Sequence, residues 1–276
     1  MYNEIPLELI DLICNKLPLK ILINNGEFIL PELNIQRIKK YWRNSDIYQL
    51  IADNDIHGVK YLIAKNHGEN YTRNDLRKMV EKTCEHGYLE ILNFLMNLSD
   101  KNIYKNSNIN SCKNLSLKNN KPLLIAITKG YLDIVKYLIE NNHGSINYQY
   151  KPVTRAVKHD QLNVLKYLVE KGANIKACEE HVINLTIYNG NLDMLKYLVE
   201  IGVNIRFKND DALTMACRYG ELDILKYLIS LGLDIKRKRD SLIWMVRRSA
   251  YYYVYIEKYL ESLNTELDVS ITINFV

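Results

Sequence analysis

The chain is poor in the residues and patterns that build reactive sites and covalent frameworks. Its five cysteines, Cys14, Cys84, Cys112, Cys178 and Cys217, are odd in number and include no Cys-x-x-Cys pair. That spacing excludes a disulfide framework and points to a reducing, intracellular compartment. No apolar run approaches the roughly eighteen residues that a membrane-spanning helix needs, so no membrane partner is expected. The first residues carry no basic segment, and Glu8 and Asp11 interrupt the first apolar stretch, so no signal peptide is read there. His-Glu-x-x-His, Gly-x-Ser-x-Gly, phosphate-loop and Gly-x-Gly-x-x-Gly patterns are all missing. The expectation is a non-enzyme with no metal, no cofactor and no small-molecule substrate.

What is present is ample apolar material, 47% of 276 residues, enough for a large core. The net charge of +5 is spread along the chain rather than gathered into a stripe, so nucleic acid is not the expected partner. One dense basic run, Lys236-Arg237-Lys238-Arg239, fits a loose nuclear-import pattern or a solvated loop tip. The chain is rich in Asn, Ile, Lys and Tyr, the last with 21 copies, a bias that AT-rich codons explain better than chemistry does.

One segment recurs: Gly130-Tyr131-Leu132-Asp133-Ile134-Val135-Lys136-Tyr137-Leu138 returns as residues 190–198 and 220–228. The first residue of the Lys-Tyr-Leu triplet falls at Lys60, Asn93, Lys136, Lys166, Lys196, Lys226 and Lys258, giving steps of 33, 43, 30, 30, 30 and 32. A fixed period of this size means stacked units, each unable to bury its apolar faces alone. The long step holds a polar, aperiodic insert over about residues 99–117, read as an elongated loop.

Within a unit, Ile134, Val135, Leu138 and Ile139 fall on one helical face, while Lys136 and Glu140 are spaced to pair as i, i+4 neighbours. A shorter helix precedes it over 122–129, opened by Pro122 and closed by Gly130. A glycine turn and an extended finger follow, as in Lys171-Gly172-Ala173-Asn174-Ile175. Stacking predicts two ladders, Leu123/Val153/Ile183/Leu213 and Leu138/Leu168/Leu198/Leu228, each leucine contributing ~1.5–3 kcal/mol on burial. The recurring Asp133, Asp193 and Asp223 are read as helix-start charges, and His86 and His159 share a repeat position that the period explains better than a metal does.

These residues resemble the ankyrin repeat. Lys121-Pro122-Leu123-Leu124-Ile125-Ala126 and Lys151-Pro152-Val153-Thr154-Arg155-Ala156 are similar to the family's Thr-Pro-Leu-His-x-Ala, and Gly172-Ala173-Asn174-Ile175 to its closing Gly-Ala-Asn-Ile. The form of the repeat, with its 30-residue step, looks like that of the ankyrin proteins of giant DNA viruses. The resemblance implies an all-α ankyrin-repeat solenoid of seven units over residues 46–264, with a tail over 265–276. It implies a monomeric protein-protein interaction module that binds a protein partner, a host factor. The family's inter-repeat Thr and His are replaced by Lys121 and Leu124, Lys151 and Thr154, His181 and Asn184, Asp211 and Thr214, so those bonds are weakened or replaced. Such arrays bind with finger tips and the ends of first helices. That implies Lys118, Tyr150, Phe207, Lys208, Arg237 and Lys238 on fingers, with Lys158, Tyr188, Arg218 and Tyr219 at the ends of first helices.

The two ends differ from the repeat. Residues 5–18 resemble the opening of an F-box, with Tyr41-Trp42-Arg43 echoing its later Trp-Arg, which implies a ubiquitin-ligase adaptor that docks Skp1 through residues 1–43. The competing reading of residues 1–45 is a helical cap on the array. The last unit gains two residues and is rich in aromatics: Trp244, Tyr251, Tyr252, Tyr253 and Tyr255 fit either a solvated terminal repeat or a contact patch. The final residues 267–276 alternate like a strand or fray.

Overall fold

The computed structural model describes residues 23–24, 27–28, 42, 44–65, 71–100, 120–206, 211–249, 251 and 253–273. Most of the F-box-like segment, the insert from residue 101 onward, Lys118, Phe207 and Lys208 lie outside the described residues. The chain divides into two compact units, Met1–Leu117 and Lys118–Val276.

The first unit holds a two-residue antiparallel ladder, β1 (Ile23–Asn24) with β2 (Glu27–Phe28), and two helix pairs. These are α1 (Ile47–Ala52) with α2 (Ile56–Lys65), and α3 (Arg73–His86) with α4 (Leu89–Asp100). The chemistry of the ends is legible. Thr72 and Asp75 cap α3 reciprocally, and Gly87 closes it at φ 83°. Asp55 starts α2 by accepting from the Gly58 amide at 2.8 Å and from Trp42 Nε1 at 2.8 Å.

The second unit holds five pairs: α5 (Lys121–Lys129) with α6 (Leu132–Glu140), α7 (Lys151–Lys158) with α8 (Leu162–Glu170), α9 (Glu179–Tyr188) with α10 (Leu192–Glu200), α11 (Asp211–Tyr219) with α12 (Leu222–Ser230), and α13 (Arg239–Arg248) with α14 (Val254–Ile273). The odd-numbered first helices pack in series, α5 on α7, α7 on α9, α9 on α11 and α11 on α13. Each second helix packs on its own first helix. Among the described residues seven helix pairs stand, and the fold is an all-α solenoid. Both predicted ladders are buried: Leu123, Val153, Ile183 and Leu213 in the first helices, Leu138, Leu168, Leu198 and Leu228 in the second. Residues at the turn between helices adopt left-handed backbone, Gly87, Gly130, Gly190 and Gly220 in four units but Asn54 and Asp160 in two others, residue types that tolerate that region.

The structure departs from the sequence reading in four places. Lys136 and Glu140 do not pair with each other. Glu140 reaches the next repeat, accepting from Tyr167 Oη at 3.1 Å and lying 3.7 Å from Lys171 Nζ. The recurring Lys stacks over the aromatic of the following repeat's triplet: Lys136 over Tyr167, Lys166 over Tyr197 and Lys226 over Tyr259, at 5.8, 5.4 and 5.6 Å. The described fingers are short irregular links, two of them ending in 3-10 turns (Tyr148–Tyr150 and Lys176–Cys178), because buried Ile175, Val203, Ile205 and Leu233 tuck them onto the array. The tail is helical rather than strand-like, since α14 continues through Ile273, and α4 runs two residues into the stretch assigned to the insert.

The family's missing Thr and His contacts have substitutes. Asn189 Nδ2 donates to the Val157 and Lys158 carbonyls at 3.0 and 3.2 Å. Arg206 spans to the Leu231 and Gly232 carbonyls, both at 3.0 Å, and Asn120 exchanges two hydrogen bonds with Ser145. Asn191 donates to Asp160. The residue before each second helix covers the preceding turn, so a Cβ on Gly130, Gly190 or Gly220 would meet Gln161, Glu221 or Tyr253.

Tyr167 carries a testable consequence. Burial, and then its hydrogen bond to Glu140, push its phenol up to about 12. A raised phenol favours the protonated folded form, so its contribution is complete below pH 10 and is lost as pH rises toward about 12. Tyr167→Phe should cost about 1 kcal/mol at neutral pH in a urea titration. It should also flatten the fall in stability above pH 10.

Candidate interaction surface

The last turns of the first helices form one edge of the second unit, because helices packed in series bring equivalent residues into a row. On α7 this edge carries Arg155 and Lys158, on α9 Tyr188, on α11 Arg218 and Tyr219, and on α13 Arg247 and Arg248. Among the described side chains the acids of these helices stand at the opposite end, Glu179 and Glu180 on α9 and Asp240 on α13. Cations at helix C-termini complement the macrodipole, which accounts for the sign of the edge but not for its aromatics.

Tyr188 is 61% exposed and meets Tyr219 edge to face, with centroids 5.0 Å apart. Trp244 is 62% exposed, and the Arg248 guanidinium lies 4.8 Å above its ring. Both are large rings left in solvent on the outward face of first helices whose inward residues, Ile183 and Leu242 among them, are buried. Arg247 is engaged instead with Glu257 and, at 2.9 Å, with Glu261. The remaining aromatics of the last unit divide in role. Tyr253 lies against Gly220 and Tyr255 Oη donates to its carbonyl at 2.9 Å, so these two cover the preceding turn, while Tyr251 is exposed.

Of the residues assigned by sequence, Lys158, Tyr188, Arg218 and Tyr219 gather on this edge. Tyr150, Arg237 and Lys238 lie on fingers apart from it. Tyr150 is exposed and held at φ 57°, and Arg237 pairs with Asp234 at 3.4 Å. Lys238 precedes α13 and is half-buried. Sequence reasoning missed Arg155, Asn189 and the Trp244/Arg248 stack. The i, i+4 spacing of Trp244 and Arg248 on one helix was the available signal for the last.

His86 and His159 end their helices as the repeat requires, each with a buried Nε2 that has no hydrogen-bond partner. Burial, with Arg155 and Lys158 beside it, holds His159 below the usual imidazole range, which favours the neutral ring. Among the described residues no group of three His, Cys, Asp or Glu is placed to hold a metal ion, and no helix is long and apolar enough to cross a membrane.

Comparisons with known proteins agree with this architecture. The family model for ankyrin repeats (3 copies) matches residues 80–179 and 175–239. No curated protein sequence matches the chain. Among solved structures, the crystal structure of the human ASB11 ankyrin repeat domain is similar with a TM-score of 0.51 and 18% identity, over 70% of this chain and 86% of that one. That identity carries the fold alone. Ankyrin repeats are a non-catalytic scaffold that generally mediates protein–protein interaction. The family model spans more than half of the sequence, and the chain belongs to the ankyrin-repeat family.

Proposed function

We propose that this chain is a non-catalytic interaction module that binds a protein partner along the last-turn edge of α7, α9, α11 and α13. The observation that carries the reading is the contrast between the two kinds of exposed residue. Those that repeat are used within the array: Asp193 and Lys196 pair at 4.0 Å within α10, and Lys136, Lys166 and Lys226 stack over the next repeat's ring. Those that vary, Tyr188, Arg218, Trp244 and Arg248, put large rings and charges into solvent on one edge. Aromatic and arginine side chains are the usual anchors of protein interfaces. The likeness of the repeated segment to giant-virus arrays supports a host protein as the partner. Affinity capture with the wild-type chain and with a Tyr188→Ala/Arg218→Ala variant tests the reading. The captured partner is expected to be lost from the variant.

A further inference from the structure

We infer that the partner presents an acidic, extended polypeptide segment to this edge, with carboxylates and one apolar side chain spaced three residues apart. The inference rests on the interaction-module reading and adds the chemistry of the ligand.

Four cations on the edge, Arg155, Lys158, Arg218 and Arg248, have no carboxylate within ion-pair distance among the described residues. The acids nearest in sequence are occupied. Asp160 accepts from Asn191, Glu257 and Glu261 take Arg247, and Glu221, which lies over Gly190, forms no ion pair with Arg218. Elsewhere on the surface Lys82 pairs with Glu85, Lys171 with Glu140, Arg237 with Asp234 and Arg239 with Asp240, while Lys136, Lys166 and Lys226 stack over rings of the next repeat and Arg206 reaches carbonyls. An edge that leaves its positive charges unpaired beside exposed rings is complementary to negative charge carried on a partly apolar chain.

Geometry selects the form of that chain. Packed helices stand about 8–10 Å apart. An extended chain rises about 3.3 Å per residue, so it passes one helix about every three residues. Successive helices then present Lys158, Tyr188, Arg218 and Arg248, which asks for acid, apolar, acid, acid at three-residue intervals, in either chain direction. A polyanionic nucleic acid fits less well. The cations are confined to the last turns of the helices, and Glu179, Glu180 and Asp240 stand at the other end.

The probe is a fluorescein-labelled peptide of about ten residues, with three glutamates and one leucine at that spacing on a Gly/Ser background, titrated into the full chain at low ionic strength. Controls are the same composition scrambled, the same pattern with lysine for glutamate, and oligothymidine. The patterned acidic peptide should bind, and the lysine and scrambled versions should not. Arg218→Glu/Arg248→Glu should weaken binding at least about tenfold, and Arg218→Gln/Arg248→Gln should weaken it less, both with an unchanged thermal midpoint. Equal binding of patterned and scrambled peptides, binding of the lysine version, tighter binding of oligothymidine, or a loss that follows a fall in the thermal midpoint would each overturn the inference. If cellular partner capture depends on Tyr188 and Arg218 while no acidic peptide binds, the inference fails and the interaction-module reading stands.

Discussion

Leu198→Ala should destabilise the second unit by about 3 kcal/mol, within the range of roughly 2–5 for leucine truncation in a packed core. Leu198 is fully buried on α10, and it occupies the ladder position shared with Leu168 and Leu228. Removing its side chain leaves a cavity that short, regular helices on both sides have little freedom to close. The effect has a location as well as a size. In stacked repeats each unit touches only its neighbours, so opening spreads outward from the damaged unit. Hydrogen exchange should therefore rise most in α9 to α12 and least in α5 and α6. Lys196→Ala, two residues away on the solvated face, should change stability by less than ~0.5 kcal/mol. A loss of less than about 1 kcal/mol at Leu198 would contradict a packed ladder.

Trp42→Ala should be comparably severe for the first unit, at roughly 3–5 kcal/mol. Trp42 is 5% exposed, donates to Asp55 at 2.8 Å and tilts against Tyr61 with centroids 5.3 Å apart. Its loss empties that space and also takes one hydrogen-bond donor from a buried carboxylate. Gly58 belongs to the same contact, because a Cβ there would sit 2.8 Å from Asp55 Oδ2 and 2.9 Å from the Trp42 ring. Trp42 is thus packed against the start of α2 and its Tyr61. The chain has two tryptophans, and the other, Trp244, is exposed. Indole fluorescence of a Trp244→Phe background therefore reports the first unit. Its emission should start blue-shifted and move red at a lower urea concentration when Gly58→Ala displaces the ring. An unshifted transition in Gly58→Ala, or a Trp42→Ala cost below about 1 kcal/mol, would show that the packing is not what holds this pair.

The architecture was legible because its signal is written seven times. Each Lys-Tyr-Leu triplet falls in the second helix of a described pair, and the expected ladder Leu123/Val153/Ile183/Leu213 is buried. Contacts between repeats were not legible, because they join residues about one period apart whose side-chain directions the sequence does not state. Lys136 could meet Glu140 four residues on or Tyr167 in the next unit. The second wins, since stacking on a buried ring adds contact that an exposed i, i+4 pair lacks. The left-handed positions of Asn54 and Asp160 were hidden for a related reason: no glycine marks them, and Asp160 is held there with a hydrogen bond from Asn191. Lys158, Tyr188, Arg218 and Tyr219 stand in the last turns of first helices, where the period puts them. The geometry that unites them with Trp244 and Arg248 needed the stacking of helices.

Partner capture by two double variants decides where recognition lies on this array. One replaces the variable edge, Tyr188→Ala/Arg218→Ala. The other replaces the repeated exposed pair, Asp193→Ala/Lys196→Ala. If recognition lives where the repeat varies, capture is lost from the first and kept by the second, with both proteins retaining wild-type helicity. Capture that survives the edge variant and disappears with the repeated pair would contradict the account.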